Sequence, residues 1–305
     1  MNGAPGLGAE SMAGVRAVIF DIDGVLLDAR PSYHAVAEEA ARRAVAAALE
    51  LEPKAARDIE FDGADAIPRF KAAGNFNDDW EMSCAIALVL LLRVRLGRGA
   101  PSLAQLLAET RGQGLAGLQR ARGAEATAGL TQRGLEAIAP ACIARACGAL
   151  YGGRAHCREL FGFEAKDALE DAPEEGLWIR EEPLVGKDLL GQIAARFEVA
   201  LFTGRNPGEA KLALARTGLS VPESLRWVAD GRPRKPDPTG LRWLCGQLLK
   251  NGGLALFLGD TADDARAAAA AQDAGAQLIY AHVQPPPAPG ETERVLRQLL
   301  AATET

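Results

Sequence analysis

Cysteine is scarce in this chain, and so are aromatic side chains, long apolar runs and any excess of positive charge. Its five cysteines, Cys84, Cys142, Cys147, Cys157 and Cys245, are an odd number without zinc-ligand spacing. That favours reduced packing residues over a disulfide framework or a cysteine zinc site. The longest apolar run, Ala85 to Leu92, spans 8 residues, far below the roughly 20 that a bilayer requires. The opening MNGAPGLGAES has neither a basic region nor an apolar core. These absences point to a soluble cytoplasmic protein with no membrane partner. A net charge of −6 gives no support for a nucleic-acid partner. Aromatic residues make up only 5% of the 305 residues against 48% hydrophobic residues in all, enough chain for a full core and a second, smaller domain.

The charge is unevenly spread. Between Gly97 and Arg158 lie eight arginines and three glutamates, so this segment is basic within an acidic chain. It either faces an anionic substrate or forms a solvated surface.

The most informative stretch is Val18 to Asp28, VIFDIDGVLLD. The apolar run Val15 to Phe20 reads as a buried strand ending in Asp21, Asp23 and Gly24. Such a strand delivers two carboxylates to the carboxyl edge of a sheet, where open α/β folds place their ligands. Strand alternation would turn both side chains the same way. Two carboxylates at ~4 Å repel by roughly 4 kcal/mol at an effective dielectric near 20, so a cation is expected between them. A divalent metal is the natural candidate. Taken alone, an Asp-x-Asp-Gly run could equally open a calcium loop.

Three further segments follow in order. VALFTGR, Val199 to Arg205, is a strand ending in a threonine; Lys235 lies in RKPDP; and LFLGDTADD covers Leu256 to Asp264. With the first run, these resemble the four motifs of the haloacid dehalogenase (HAD) superfamily. The resemblance implies Asp21 as the nucleophile that forms an aspartyl-phosphate, and Asp23 as general acid and base. It implies Thr203, Gly204 and Lys235 as the phosphate-binding set, with Thr203 and Lys235 also counted as catalytic. Mg2+ is the implied cofactor, held by Asp21, Asp23, Asp260 and Asp264. Asp260 and Asp264 are four residues apart near the first turn of an expected helix starting at Ala262, so both approach one metal. Asp263 is the alternative to Asp264, and a carboxylate at a helix start is its ordinary explanation. Arg205 either adds charge at the phosphate or pairs with surface carboxylates. An acid at Asp23 disfavours carbon–halogen cleavage, because a halide leaving group needs no proton.

From Val199 onward, strand and helix signals alternate: EVALF, a helix over Pro207 to Thr217, RWVAD, a helix over Pro238 to Leu249, LALFLGD, a helix, and QLIYAHV. This reads as an α/β fold with a doubly wound parallel sheet, the Rossmann-like core of the resemblance. The core is assigned to residues 15–28 and 184–305, and residues 1–14 to a disordered start. Residues 29–183 interrupt the sheet without strand alternation. Stretches such as YHAVAEEAARRAVAAALE and PSLAQLLAETRGQGLAGLQRAR read as helices. This insertion resembles the helical cap of subfamily I HAD enzymes, enlarged. Such caps close over the active site and select the substrate. The polar and aromatic loop GNFNDDWE supplies the substrate candidates Asn77, Asp78, Asp79 and Trp80. The other reading of this loop is a helix N-cap with Trp80 packed inside the cap. The loop, the Tyr151-Gly152 pair and the Gly-x-x-x-x-Glu-x-Pro-Leu stretch ending Glu182-Pro183-Leu184 also resemble a poorly characterised subgroup of subfamily I.

The expected function is a Mg2+-dependent phosphohydrolase acting on a small phosphorylated metabolite. A phosphomutase on a sugar phosphate and a non-catalytic binding protein on the same scaffold are the alternatives.

Overall fold

The computed structural model describes residues 12–59, 61, 66–74, 76, 79–284 and 290–303, and their side chains except at positions 53, 54, 71 and 79. The chain divides into two compact units, one of Met1–Ala29 with Glu181–Thr305 and one of Arg30–Arg180.

The first unit is built on a five-stranded sheet of β1 (Val15–Phe20), β4 (Glu198–Phe202), β5 (Arg226–Trp227), β6 (Leu254–Gly259) and β7 (Leu278–His282). A separate short pair joins β2 (Leu27–Asp28) to β3 (Glu182–Pro183), antiparallel. The order across the large sheet is β5-β4-β1-β6-β7 and every pairing is parallel. Alternation along the strands explains why both faces are covered. Val18 and Phe20 of β1, Val199 and Leu201 of β4, and Leu256 and Leu258 of β6 pack on one face. Ala17, Ile19, Ala200, Phe202, Ala255 and Phe257 pack on the other. Strands buried on both faces need continuous apolar sequence, which these have apart from exposed Arg16 and Glu198 near their amino ends.

The first face is closed by the helices Lys187–Arg196, Pro207–Thr217 and Glu291–Ala302, the second by Thr239–Leu248 and Ala262–Asp273. The chain leaves β4 outward to β5 and then returns to the far side of β1 as β6. The topological switch point therefore lies at β1, whose carboxyl end is the ligand-binding position of such sheets.

Three expectations change here. RWVAD is paired only over Arg226 and Trp227, because the chain then turns so that the Ala229 amide donates to the Arg205 carbonyl at 2.8 Å. The disorder expected to Gly14 does not extend to Met12, whose side chain is buried in the first core face; residues 1–11 lie outside those described. The core also retains Ala29 and Glu181–Pro183, since β3 must reach back to pair with β2.

The second unit contains no strand among its described residues. Its three long helices, Arg30–Ala48, Asp79–Leu96 and Pro140–Phe161, pack on one another. The helix Pro140–Phe161 is broken at Gly153, whose φ of 62° is a left-handed value that glycine adopts without strain. PSLAQLLAETRGQGLAGLQRAR is likewise interrupted, with helices Leu103–Glu109 and Gly114–Leu118 separated by a turn. Several arginines of the basic segment meet acids of the same unit: Arg122 with Glu109 and Glu125, Arg154 with Glu174, and Arg158 with Glu164. No helix in the described residues is long and apolar enough to cross a membrane.

Candidate active site

Three strand ends converge at the switch point. Asp21 follows β1 directly, and its amide donates to the Leu258 carbonyl at 3.0 Å, which fixes it against β6. The chain then folds into a tight turn in which the Ile22 carbonyl accepts from the amides of Leu26 and Leu27 at 2.8 and 2.9 Å. Gly24 sits in this turn with φ +73°, and a Cβ there would lie 2.1 Å from Oδ2 of Asp260. Only glycine lets the turn approach the carboxylate that follows β6 so closely.

Asp264 is fully buried on the first turn of Ala262–Asp273. Its Oδ2 accepts from the Thr261 amide at 3.0 Å and from the Thr261 hydroxyl at 2.6 Å, a capping box that locks its rotamer. Its Oδ1 lies 2.6 Å from Nζ of Lys235, which also lies 2.9 Å from Oδ1 of Asp21. Asp263 turns away to pair with Arg266, so Asp264 is the carboxylate that faces Asp21.

Asp21, Asp260 and Asp264 offer carboxylate oxygens within 4.8 Å of one another. Lys235 pairs with two of these three acids, Asp21 and Asp264. Burial raises the Asp21 pKa to about 7, against the pull of Lys235, with help from Asp264 and Asp23. Burial and then the charges of Asp21 and Asp264 push Asp260 to about 8. Burial alone would lower Lys235, but Asp21 and Asp264 hold it above its ordinary value. The buried Oδ1 of Asp260 has no hydrogen-bond partner among the described residues. An orphaned carboxyl oxygen in an oxygen-only donor set fits a hard divalent cation. Asp21, Asp260 and Asp264 are the side chains that would hold it.

Asp23 departs from the expected set of metal-binding side chains. Strand alternation ends at Phe20, and in the following turn the Asp23 carboxylate points to Arg205, not into the cluster. Arg205 does form ion pairs, but from a buried position: its side chain and that of Glu181 are buried, and only Asp23 is partly exposed. Glu181 was not singled out as a site residue in the sequence. Its only signal is that it is the first of the two glutamates in the Gly176 to Leu184 stretch.

Thr203 is buried at the end of β4, its amide bonded to the Trp227 carbonyl at 3.0 Å. Its Oγ1 accepts from the Arg205 amide at 3.2 Å, which leaves the hydroxyl proton to donate elsewhere. Gly204 is bordered by open space, since a Cβ there would meet nothing within 4 Å. Asn77 and Asp78 lie outside the described residues, as does the side chain of Asp79. Trp80 is half-buried against Tyr33 and Phe161, at ring centroid distances of 6.1 and 6.3 Å.

A family model, described as haloacid dehalogenase-like hydrolase, matches residues 15–272. The chain belongs to this family. Among solved structures, the HAD-like chain resembles a phosphatase from Thermococcus thioreducens at 22% identity and TM-score 0.63, covering 92% of this chain and 99% of that one. It also resembles a structural-genomics target at 15% identity and TM-score 0.59, over 94% and 100% of the two chains. At these identities the likeness shows the fold. A search of curated proteins finds no significant match.

The raised carboxylates of this HAD-like site give stability a definite pH dependence. Folded-state values above the ordinary carboxylate value mean that the folded form holds more protons than the unfolded form between about pH 4 and 8. Glu209, raised by burial to about 7, acts in the same sense. The metal-free protein is therefore expected to melt at progressively lower temperature as pH rises through that window. A divalent cation must displace the same protons, so stabilisation by Mg2+ should grow over it. Thermal melts with chelator and with Mg2+ across this range check both slopes; a Mg2+ shift independent of pH would contradict the assignment.

Proposed function

We propose that the chain is a Mg2+-dependent phosphohydrolase that cleaves a small phosphorylated metabolite through an aspartyl-phosphate on Asp21. The observation that carries this reading is the arrangement at the β1 terminus. A buried carboxylate shares an ammonium with Asp264, lies beside an orphaned carboxylate oxygen, and follows a strand paired with the one that Thr203 directly follows.

In the first step an oxygen of Asp21 attacks phosphorus as the bond to the ester oxygen breaks, and Asp23 donates a proton to the leaving alkoxide. In the second, Asp23 takes a proton from water, whose oxygen attacks the phosphorus of the aspartyl-phosphate. The bond to Asp21 breaks and inorganic phosphate leaves. Lys235 offsets the repulsion between an anionic nucleophile and an anionic ester. The Thr203 hydroxyl donates to a phosphoryl oxygen, and the open space at Gly204 admits another to its amide. A bound divalent cation would add positive charge at the same oxygens.

The test is phosphate release from a panel of phosphorylated metabolites, with Mg2+ and with chelator. Mg2+-dependent release from at least one member is expected. Isomerisation of a sugar phosphate with esterified phosphate retained would identify a mutase instead. Neither outcome, from a folded chain, would favour a binding role.

A further inference from the structure

Among the described residues, Arg205 is a buried cation beside the site that no step above uses. Its side chain is 1% exposed and grips two carboxylates at once. Nη2 lies 2.6 Å from Oδ1 of Asp23, Nε lies 3.2 Å from both Asp23 oxygens, and Nη1 donates to Oε2 of Glu181 at 2.9 Å. Glu181 is also 1% exposed, and its carbonyl accepts from Nε of Arg216. The Arg205 main chain is held at both ends, its amide on the Thr203 hydroxyl at 3.2 Å and its carbonyl by the Ala229 amide at 2.8 Å.

A buried ion pair is weak support for stability, because desolvation offsets most of its attraction. The arrangement therefore calls for a positional explanation, and Asp23 supplies one. Its side chain is 41% exposed in a turn, where an untethered carboxylate would sample several rotamers. The planar guanidinium fork fixes both the place and the plane of a carboxylate, which an ammonium cannot do. The grip is also uneven. Oδ1 takes two donors, while Oδ2 has only the long contact to Nε, so Oδ2 keeps lone-pair capacity for a proton in transit. Residue 205 thus sets two groups of the site together, the Thr203 hydroxyl through its main chain and the Asp23 carboxylate through its side chain.

We propose that Arg205, anchored by the buried Glu181, is a positioning residue that aims Asp23 at the leaving-group oxygen. The proposal rests on the phosphohydrolase reading above. Its consequence is selective: Arg205 matters in proportion to how much the leaving group needs a proton.

The test uses the full chain with Mg2+ and two substrates of similar size, phenyl phosphate and 4-nitrophenyl phosphate, whose phenolates differ in basicity. With Arg205→Met, kcat for phenyl phosphate should fall about 100-fold, while that for 4-nitrophenyl phosphate changes by no more than about threefold. Arg205→Lys restores charge without the fork and should still lose about tenfold on phenyl phosphate alone. Glu181→Gln, which keeps shape and weakens the anchor, should shift the same way and serves if the methionine variant fails to fold. In an Asp23→Asn background, Arg205→Met should add no further selective loss.

Parallel losses on both substrates would reduce Arg205 to a structural role and overturn the proposal. So would losses that simply add to those of Asp23→Asn. A wild-type chain that hydrolyses neither ester with Mg2+ would instead remove the phosphohydrolase reading, and this proposal with it.

Discussion

Asp21→Asn is expected to remove phosphate release altogether, by on the order of 10⁴-fold or more in kcat, while leaving the fold intact. The exchange of one carboxylate oxygen for an amide nitrogen keeps shape and volume but removes the nucleophilic charge. The packing argument predicts little thermal cost. Asp21 is already held against its preference for ionisation, with burial raising it to about 7, and a neutral amide suits that surrounding better. In the metal-free protein the variant should melt no lower than the wild type at about pH 8, where the repulsion among Asp21, Asp260 and Asp264 is greatest. Loss of activity together with unchanged or higher melting temperature separates a removed nucleophile from a damaged fold. Assays of phosphate release beside thermal melts check both.

Lys235→Met has the second largest expected effect, and it acts on stability as well as rate. Lys235 lies within 2.9 Å of Asp21 and 2.6 Å of Asp264 and is 12% exposed. Methionine approximates the stem but strands the two carboxylates. Breaking a buried ion pair on one side costs about 3–5 kcal/mol, so the metal-free variant should unfold at markedly lower denaturant near pH 8. The deficit should shrink toward pH 6, because Asp21 and Asp260 can then take protons. Mg2+ should recover most of the stability by returning positive charge to the cluster. Turnover should stay reduced by about 10²–10³-fold even with Mg2+, since the ammonium is directed at charge that develops on the phosphoryl group. Equal stability of variant and wild type without metal near pH 8 would contradict this account of the cluster.

The sheet was legible wherever a strand is buried on both faces. Residues 17–20, 199–202 and 254–258 are unbroken apolar runs, each followed closely by the residue assigned to the site, so element and function share one signal. The edge strand at Arg226 was not legible at its correct length, because its end is set by a main-chain bond to Arg205, distant in sequence. Helix spacing placed both Asp263 and Asp264 near Asp260, and the family resemblance rather than the spacing favoured Asp264. The side chain of Asp23 could not be placed, since alternation carries no information past the last strand residue. Glu181 was hardest of all: it lies 24 positions from Arg205, which is itself 182 from Asp23, and no local period connects them. Their meeting is produced by the sheet order, which brings β4 beside β1. In the helical unit, alanine-rich helices were visible by propensity, whereas the breaks at Gly153 and between Glu109 and Gly114 depend on packing.

The central claim is that Asp21 becomes covalently phosphorylated during turnover. It is tested most directly by quenching the working enzyme in acid and mapping the phosphoryl group by peptide mass spectrometry. The account predicts one phosphoryl group on the peptide containing Val15 to Asp28, located at Asp21 and absent from Asp21→Asn. Phosphorylation at any other residue, or an Asp21→Asn enzyme that keeps about a tenth of wild-type turnover, would contradict it.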